Sequence, residues 1–422
     1  MSIKLPITTA KDWRKGLATG AVAGAGMVTT VAVGTAAVAT YFVRQMVVPP
    51  KHMVEELKIL GVGYPSFNPA SGDEPNSITL PATEQTSVPG TYGLFFNGGK
   101  SHAVIGDIIA FTPVDQSVIR EVLEIHNGDL SRADRGHWSG VIATSPEDAG
   151  YKAEHITLPL TVGDAPAWIV RPQNPETIYE DHSDTWAVMV HGMGVQRSET
   201  LRALATTQEL NLTSLHISYR NDKEAPPSSD GRYGLGFTEW KDVETAIDYA
   251  LQHGARKVVL FGWSMGGSIC LQAADKARNK DAIAALVLDG PAVDWLKLIE
   301  YHTELNKLPL GIGKLGIHMI SSASLGLFTG LDEPIELESL SWTRRVDEMQ
   351  VPTLILHSVK DDFVPVAPAL ELARKSNTVD IVTFADGAHT KEWNVDSDKW
   401  HSAVTEWLPG KLQQFHAETS AT

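Results

Sequence analysis

The chain is poor in several things, and each shortage narrows what it can be. It has a single cysteine, Cys270, so no disulfide can form within it. It has few bases for its acids, 35 Lys and Arg against 51 Asp and Glu, a formal net charge of −16. That balance excludes the phosphate-neutralising surface that nucleic-acid binding requires, and it argues against docking on anionic lipid through a basic patch. Its histidines form no H-E-x-x-H pair and no Cys/His cluster, so no metal site is expected. It lacks a G-x-x-x-x-G-K-[ST] loop, so no nucleotide site is indicated, and no cofactor is expected. Cys270 itself reads as a small buried apolar residue.

One stretch lacks charge altogether. From Gly16 to Val43 there is no Asp, Glu, Lys or Arg. About 28 residues at 1.5 Å each span roughly 40 Å as a helix, enough to cross a bilayer with tilt. Lys4, Lys11, Arg14 and Lys15 precede this run, and Arg44 and Lys51 follow it. The expectation is a cytoplasmic N-terminus over 1–15, a transmembrane anchor over 16–43, and a catalytic domain on the extracytoplasmic side. Ala37-Val38-Ala39 also fits a signal-peptidase site, which would release a secreted protein cleaved near Ala39. A third reading is a small-residue helix within a soluble protein. Gly16, Gly20 and Gly24 recur every four residues, a spacing that lets two spans pack closely, though a span without a partner carries it as easily.

Residues 44–77 read as a linker, with Pro65, Pro69, Gly72 and Pro75 in its second half. Residues 78–151 read as a β-rich extension. Tyr92 to Phe96, Ala103 to Ile109 and Val118 to Leu123 are its candidate strands, and Asn97-Gly98-Gly99 is a turn between the first two. Residues 152–415 form the main domain. A hairpin, His155 to Leu160 and Ala167 to Val170, comes first. Strands at Trp186 to Val190, Ser214 to Ser218, Val258 to Phe261, Ala285 to Leu288, Thr353 to Leu356 and Asp380 to Phe384 then alternate with helical patterns. Glu199 to Glu209 is one of these, and Glu239 to His253, with Val243, Ala246, Ile247 and Ala250 on one face, is another. This alternation predicts an α/β domain, a mostly parallel sheet with helices on both faces. An insert over about 292–350 interrupts it. It is rich in Gly, Leu and Ser, carries Trp295, Tyr301, Phe328 and Trp342, and reads as a helical cap.

The chemistry starts at Gly262-Trp263-Ser264-Met265-Gly266-Gly267. A β-rich run leads into it and a helix-compatible run leads out, the context of a G-x-S-x-G nucleophile elbow. Such a turn strains its central residue, and the flanking glycines relieve the crowding. Ser264 would stand at the carboxyl edge of the sheet, beside the positive end of the following helix. A nucleophilic serine needs a base, and the base needs an orienting acid. Asp361 and Asp362 follow the strand at Thr353 to Leu356, and His389 follows the strand at Asp380 to Phe384. Both strand ends lie at the same sheet edge as the elbow.

Residues from about 153 to 412 resemble the α/β-hydrolase superfamily, in particular its serine esterase and prolyl-oligopeptidase-like branches, in a bacterial membrane-anchored form. The elbow, the D-x-x-V-P pattern at Asp361 to Pro365, and Gly387-Ala388-His389 carry the likeness. The resemblance implies Asp361 as the acid, with Asp362 its neighbouring competitor, and His389 as the base. His191-Gly192-Met193-Gly194 occupies the position of the family's oxyanion loop. Backbone N–H groups of Met193 and Met265 are the implied oxyanion donors, and His191 is expected to orient this loop.

The expected reaction is hydrolysis of a carboxylic ester through an acyl-enzyme, on a small-molecule or lipid-like acyl substrate. A prolyl-oligopeptidase-like peptidase and an acyltransferase using the same intermediate are the alternatives, although the residues before the main domain are too few for that peptidase family's propeller. A non-catalytic binding protein on the same fold is a further alternative, and retention of the whole triad argues against it.

Overall fold

A computed structural model of the chain describes residues 25–65, 74–173, 182 and 184–420. The expected cytoplasmic segment, the first part of the expected anchor and part of the Pro-rich linker lie outside these residues. A first helix, α1 (Ala25–Val47), is followed by seven strands: β1 (Leu57–Lys58), β2 (Gly61–Gly63), β3 (Ser77–Pro81), β4 (Tyr92–Phe96), β5 (Ser101–Thr112), β6 (Ser117–Asn127) and β7 (Arg135–Ser139). They form one antiparallel sheet in the order β1-β7-β4-β5-β6-β3-β2. The strands expected near Tyr92, Ala103 and Val118 are all present. Asn97, Gly98 and Gly99 make the turn between β4 and β5, all with positive φ. β1 and β2 fall within the expected linker yet join this sheet, so its strands begin before residue 78.

Eight strands build the second sheet: β8 (Glu154–Leu160), β9 (Gly163–Val170), β10 (Thr185–Val190), β11 (Thr213–Ile217), β12 (Lys257–Trp263), β13 (Ile283–Asp289), β14 (Thr353–Ser358) and β15 (Val379–Phe384). Their order is β8-β9-β11-β10-β12-β13-β14-β15. From β11 through β15 every pairing is parallel, while β9 runs antiparallel to both β8 and β11. Alternate residues of each central strand enter opposite cores, as the period of two requires. Val258 and Leu260 face one core, with α2 (Trp240–Gln252) and α3 (Met265–Lys276). Val259, Phe261 and Trp263 face the other, with Trp400, Val404, Leu408 and Leu412 of a long C-terminal helix, Ser397–Ser420. Helices therefore cover both faces, and the order reverses between β10 and β12: the chain leaves β10 toward β11 on one side and leaves β12 toward β13 on the other, which opens a crevice at their carboxyl edge. That edge is where an open α/β sheet leaves room for a site. The helix expected over Glu199 to Glu209 starts as a 3₁₀ turn, Arg197–Ala203, and becomes α-helical only at Leu204.

The insert is helical, with α4 (Trp295–Leu305), α5 (Leu310–Ile320) and the short α6 (Gly326–Thr329). The main departure from expectation is what lies on it. Helix α1 packs along α5 and α6 rather than standing alone as a transmembrane anchor. Ala39, Phe42, Val43, Met46 and Val47 are buried in the same core as Val258 and Leu260. These positions follow the i, i+3, i+4, i+7, i+8 spacing of a helix with one buried face. A side chain at Gly316 would meet Val43 Cγ1 at 2.7 Å, so glycine is what lets the two helices touch. Arg44 Nη1 donates to Thr329 O at 3.4 Å, and Tyr233 N–H donates to Val47 O at 2.8 Å. Among the described residues no helix is long and apolar enough to cross a membrane. Ala39, at the expected cleavage site, is fully buried in the middle of α1. A charge-poor helix meets a protein core as well as it meets a bilayer, and here Ala39, Phe42, Val43, Met46 and Val47 meet the core.

Candidate active site

Strand β12 delivers Ser264 at its carboxyl end. The residue is held at φ 52° and ψ −115°, the strained conformation the elbow predicts. The glycines around it are a matter of space. A methyl group on Gly262 would lie 2.6 Å from Gly266 O, and one on Gly266 would lie 2.1 Å from Val190 O. Ser264 N–H donates to Asp289 O at 2.9 Å, which pins the turn to β13.

The three residues singled out for the triad converge. His389 Nε2 lies 2.7 Å from Ser264 Oγ, and His389 Nδ1 lies 2.7 Å from Asp361 Oδ2. Asp361 is fixed from its other side, since its Oδ1 accepts the N–H groups of Phe363 and Val364, each at 2.8 Å. Burial alone would raise its pKa, but the charge of His389 and hydrogen bonds from His357 and His389 prevail and hold the carboxyl far below the usual carboxylate range. The competitor, Asp362, is placed differently. Its Oδ1 accepts the His389 backbone N–H at 3.3 Å, and its Oδ2 accepts Gln85 Nε2 at 3.5 Å. It braces the histidine loop from outside the relay.

The loop after β10 closes over the serine. A side chain on Gly192 would lie 3.2 Å from Ser264 Cβ. Gly192 N–H donates to Glu199 Oε2 at 2.7 Å, and Gly194 N–H donates to the Tyr233 hydroxyl at 3.2 Å. Tyr219 donates its hydroxyl to His191 O and Gly192 O, both at 3.0 Å. His191 is fully buried, its Nε2 3.0 Å from Asp222 Oδ2 and its ring stacked on Tyr219, so it holds the loop and does not face the serine. Met193 lines the cavity above Ser264. Met265 opens α3 with its side chain fully buried in the core, so its backbone is the part next to the serine. That cavity is narrow, about 20 Å³, lined by Met193, Val195, Glu199, Phe363 and Thr390 around Ser264 and His389.

Several supporting residues gave no signal in the sequence. Glu199 and Arg202 stand in the 3₁₀ turn after the loop that carries Met193, and Arg202 Nη1 donates to Thr390 O at 2.6 Å and to Asn394 Oδ1 at 2.7 Å. Behind the triad lies a buried pair of carboxyl groups. Asp289 Oδ2 accepts Trp400 Nε1 at 2.7 Å, and Glu392 Oε1 accepts Ser358 N–H at 2.7 Å. Burial and the adjacent Asp289 push Glu392 well above its ordinary pKa. Burial likewise raises the Cys270 thiol, which is inert in the core. Among the described residues no group of three or more His, Cys, Asp or Glu is arranged to hold a metal ion.

What the arrangement can do is defined by its order. A nucleophile touches a base, the base touches a buried ionised acid, and a glycine loop and a helix start flank the nucleophile. That is equipment for attack on a carbonyl carbon.

Two family models match the chain: the prolyl oligopeptidase family over residues 228–415, and a domain of unknown function (DUF8805) over residues 70–139. Among solved structures, the Pyrococcus furiosus esterase Pf2001 is similar at 14% identity, covering 64% of this chain and 96% of that one, with a TM-score of 0.47. Est1E from Butyrivibrio proteoclasticus with ferulic acid bound is similar at 16% identity, covering 61% and 99%, with a TM-score of 0.44. Mouse alpha/beta hydrolase domain-containing protein 10 is similar at 16% identity, covering 61% and 99%, with a TM-score of 0.43.

Proposed function

With a serine hydrolase of the α/β-hydrolase fold as the premise, we propose that the chain cleaves carboxylic esters with short acyl groups through an acyl-enzyme on Ser264. The observation that carries this reading is the unbroken relay, 2.7 Å from Ser264 Oγ to His389 Nε2 and 2.7 Å from His389 Nδ1 to Asp361. His389 takes the hydroxyl proton as Ser264 Oγ attacks the ester carbonyl. Asp361 fixes the imidazole tautomer and stabilises the imidazolium that forms. Backbone N–H groups of Met193 and Met265 receive the oxyanion, where loss of one donor costs about 3 kcal/mol of transition-state stabilisation. His389 then protonates the departing alcohol. Water, deprotonated by the same imidazole, attacks the acyl carbon and frees Ser264.

The lining supports an ester over a peptide. Met193, Val195 and Phe363 give apolar walls, and the one carboxylate, Glu199, is already engaged by Gly192 N–H and by Arg202. Nothing in this lining is left to pair with a peptide terminus. The narrow cavity favours acetyl-sized groups over lipid-like chains. The match to the prolyl oligopeptidase family keeps a peptidase as the second reading. A panel of p-nitrophenyl esters from two to twelve carbons, run against aminoacyl-prolyl amides, separates the two. The expected result is highest kcat/KM on the acetyl ester, a fall with chain length, and no turnover of amides. Preferential turnover of the amides would establish the peptidase.

A further inference from the structure

The antiparallel sheet that precedes the hydrolase domain touches the histidine loop, and it does so through few and specific contacts. Gly90 lies at the end of the loop between β3 and β4. A methyl group there would stand 2.1 Å from Asn394 O, so the two backbones are in direct contact. Thr91 N–H donates to Asn394 O at 3.0 Å, and Asn394 Nδ2 donates back to Thr91 O at 2.7 Å and to Gly140 O at 2.9 Å. Asn394 Oδ1 meanwhile accepts Arg202 Nη1, and the same nitrogen donates to Thr390 O, the residue after His389. Thr390 is itself at φ 52°, in the left-handed region that a threonine adopts only when its neighbours enforce it. Arg202 also lies 3.6 Å from Glu199 Oε1, and Glu199 Oε2 accepts the N–H of Gly192 in the oxyanion loop. A second contact reaches the loop from the same side, Gln85 to Asp362, whose other oxygen accepts the His389 N–H.

The extension's side of this seam is stiff. Arg120 is buried, and its guanidinium donates to Thr86 O, Val88 O, Gly90 O and Gly106 O at 2.6–3.0 Å. It freezes the loop that carries Gln85 and Gly90. A rigid loop pressed on Asn394, and Asn394 bonded to the arginine that spans the His389 and oxyanion loops, make one continuous support.

We propose that the β-extension positions the catalytic histidine, with Asn394 and Arg202 as the positioning residues, so that it is part of the catalytic apparatus rather than a separate binding module. The proposal rests on the assignment of Ser264 and His389 as nucleophile and base. A displacement of about 1 Å in a catalytic group costs on the order of 100-fold in rate, so a support that touches no reacting atom can control turnover.

The test uses the full chain and two substitutions remote from substrate. Gly90→Ala forces the extension off Asn394. Asn394→Asp keeps the acceptor for Arg202 but replaces the two donors to Thr91 and Gly140 with acceptors. The readouts are kcat and KM on p-nitrophenyl acetate and the rate of fluorophosphonate labelling, with circular dichroism as the check on folding. Each variant is expected to lose about 10- to 100-fold in kcat and in labelling rate with KM within about twofold. If Gly90→Ala does not fold, Asn394→Asp carries the test. A folded variant with kcat and labelling rate within about twofold of wild type would overturn the proposal. Failure of wild type to label at all would instead overturn the assignment of Ser264.

Discussion

Asp361 divides its work between its two oxygens. Oδ1 is committed to the N–H groups of Phe363 and Val364, which leaves Oδ2 aimed at His389. Asp361→Asn keeps the shape and loses the charge that stabilises the imidazolium. Its kcat on p-nitrophenyl acetate is expected to fall by about 10²- to 10⁴-fold, and its unfolding midpoint at neutral pH to drop, since the lowered pKa means that the ionised carboxyl stabilises the fold. Glu392 allows a prediction about pH. Its folded pKa is raised, so the pair with Asp289 stabilises the fold fully below the unfolded glutamate value of about 4.3, and that stability is lost as pH rises toward the folded value. Over that window the loss is about 1.4 kcal/mol per pH unit. Glu392→Gln keeps an acceptor for Ser358 and a donor for Asp289 but cannot ionise. It is expected to unfold at a higher temperature than wild type above about pH 5, by a margin that grows with pH. An unchanged difference from pH 5 to pH 9 would refute the raised pKa of Glu392. Ser264 was legible from its strand-turn-helix context, and strand ends at one sheet edge offered Asp361, Asp362 and His389, among which the D-x-x-V-P likeness picked Asp361. Glu199, Arg202 and Asn394 were not legible: Glu199 braces the backbone of nearby Gly192 with no motif to mark it, and Arg202 and Asn394 bond each other and backbone oxygens far away in the chain, contacts that leave no spacing to read.

Helix α1 shows what composition alone leaves out. The charge-free run ahead of Arg44 pointed to a bilayer, whereas the spacing of Ala39, Phe42, Val43, Met46 and Val47 marks a single buried stripe. Phe42 is fully buried against the insert, so Phe42→Ala is expected to cost about 3–5 kcal/mol, measurable by chemical unfolding. A cost below about 1 kcal/mol would mean that α1 does not dock. The same element reaches the site through Tyr233, whose N–H binds Val47 O while its hydroxyl accepts Gly194 N–H. The strands of the second sheet were legible from their apolar runs. The antiparallel course of β9 was legible only through its hairpin with β8, since direction in a sheet is set by connection length and not by composition.

At the scale of the whole molecule, two sheets of opposite character share one seam. The β-rich extension was legible as strands, but its contact with the His389 loop was not, because Gly90, Thr91 and Gly140 contribute backbone alone. The chain carries a net charge of −16, and the cavity is lined by the carboxylate of Glu199 and by no Lys or Arg. Neutral esters are therefore expected to have higher kcat/KM than anionic ones of the same length. Added salt, by screening, should narrow the gap between acetyl and succinyl esters. A gap that salt leaves unchanged would place the discrimination in the cavity. Turnover of any ester here depends on Ser264 being a nucleophile activated by His389. The most direct test of that activation is to treat folded protein with a fluorophosphonate and map the adduct by mass spectrometry. One adduct on Ser264, absent in Ser264→Ala and strongly slowed in His389→Ala, is the predicted result. Folded wild-type protein that takes up no label, or takes it up at another residue, would contradict it.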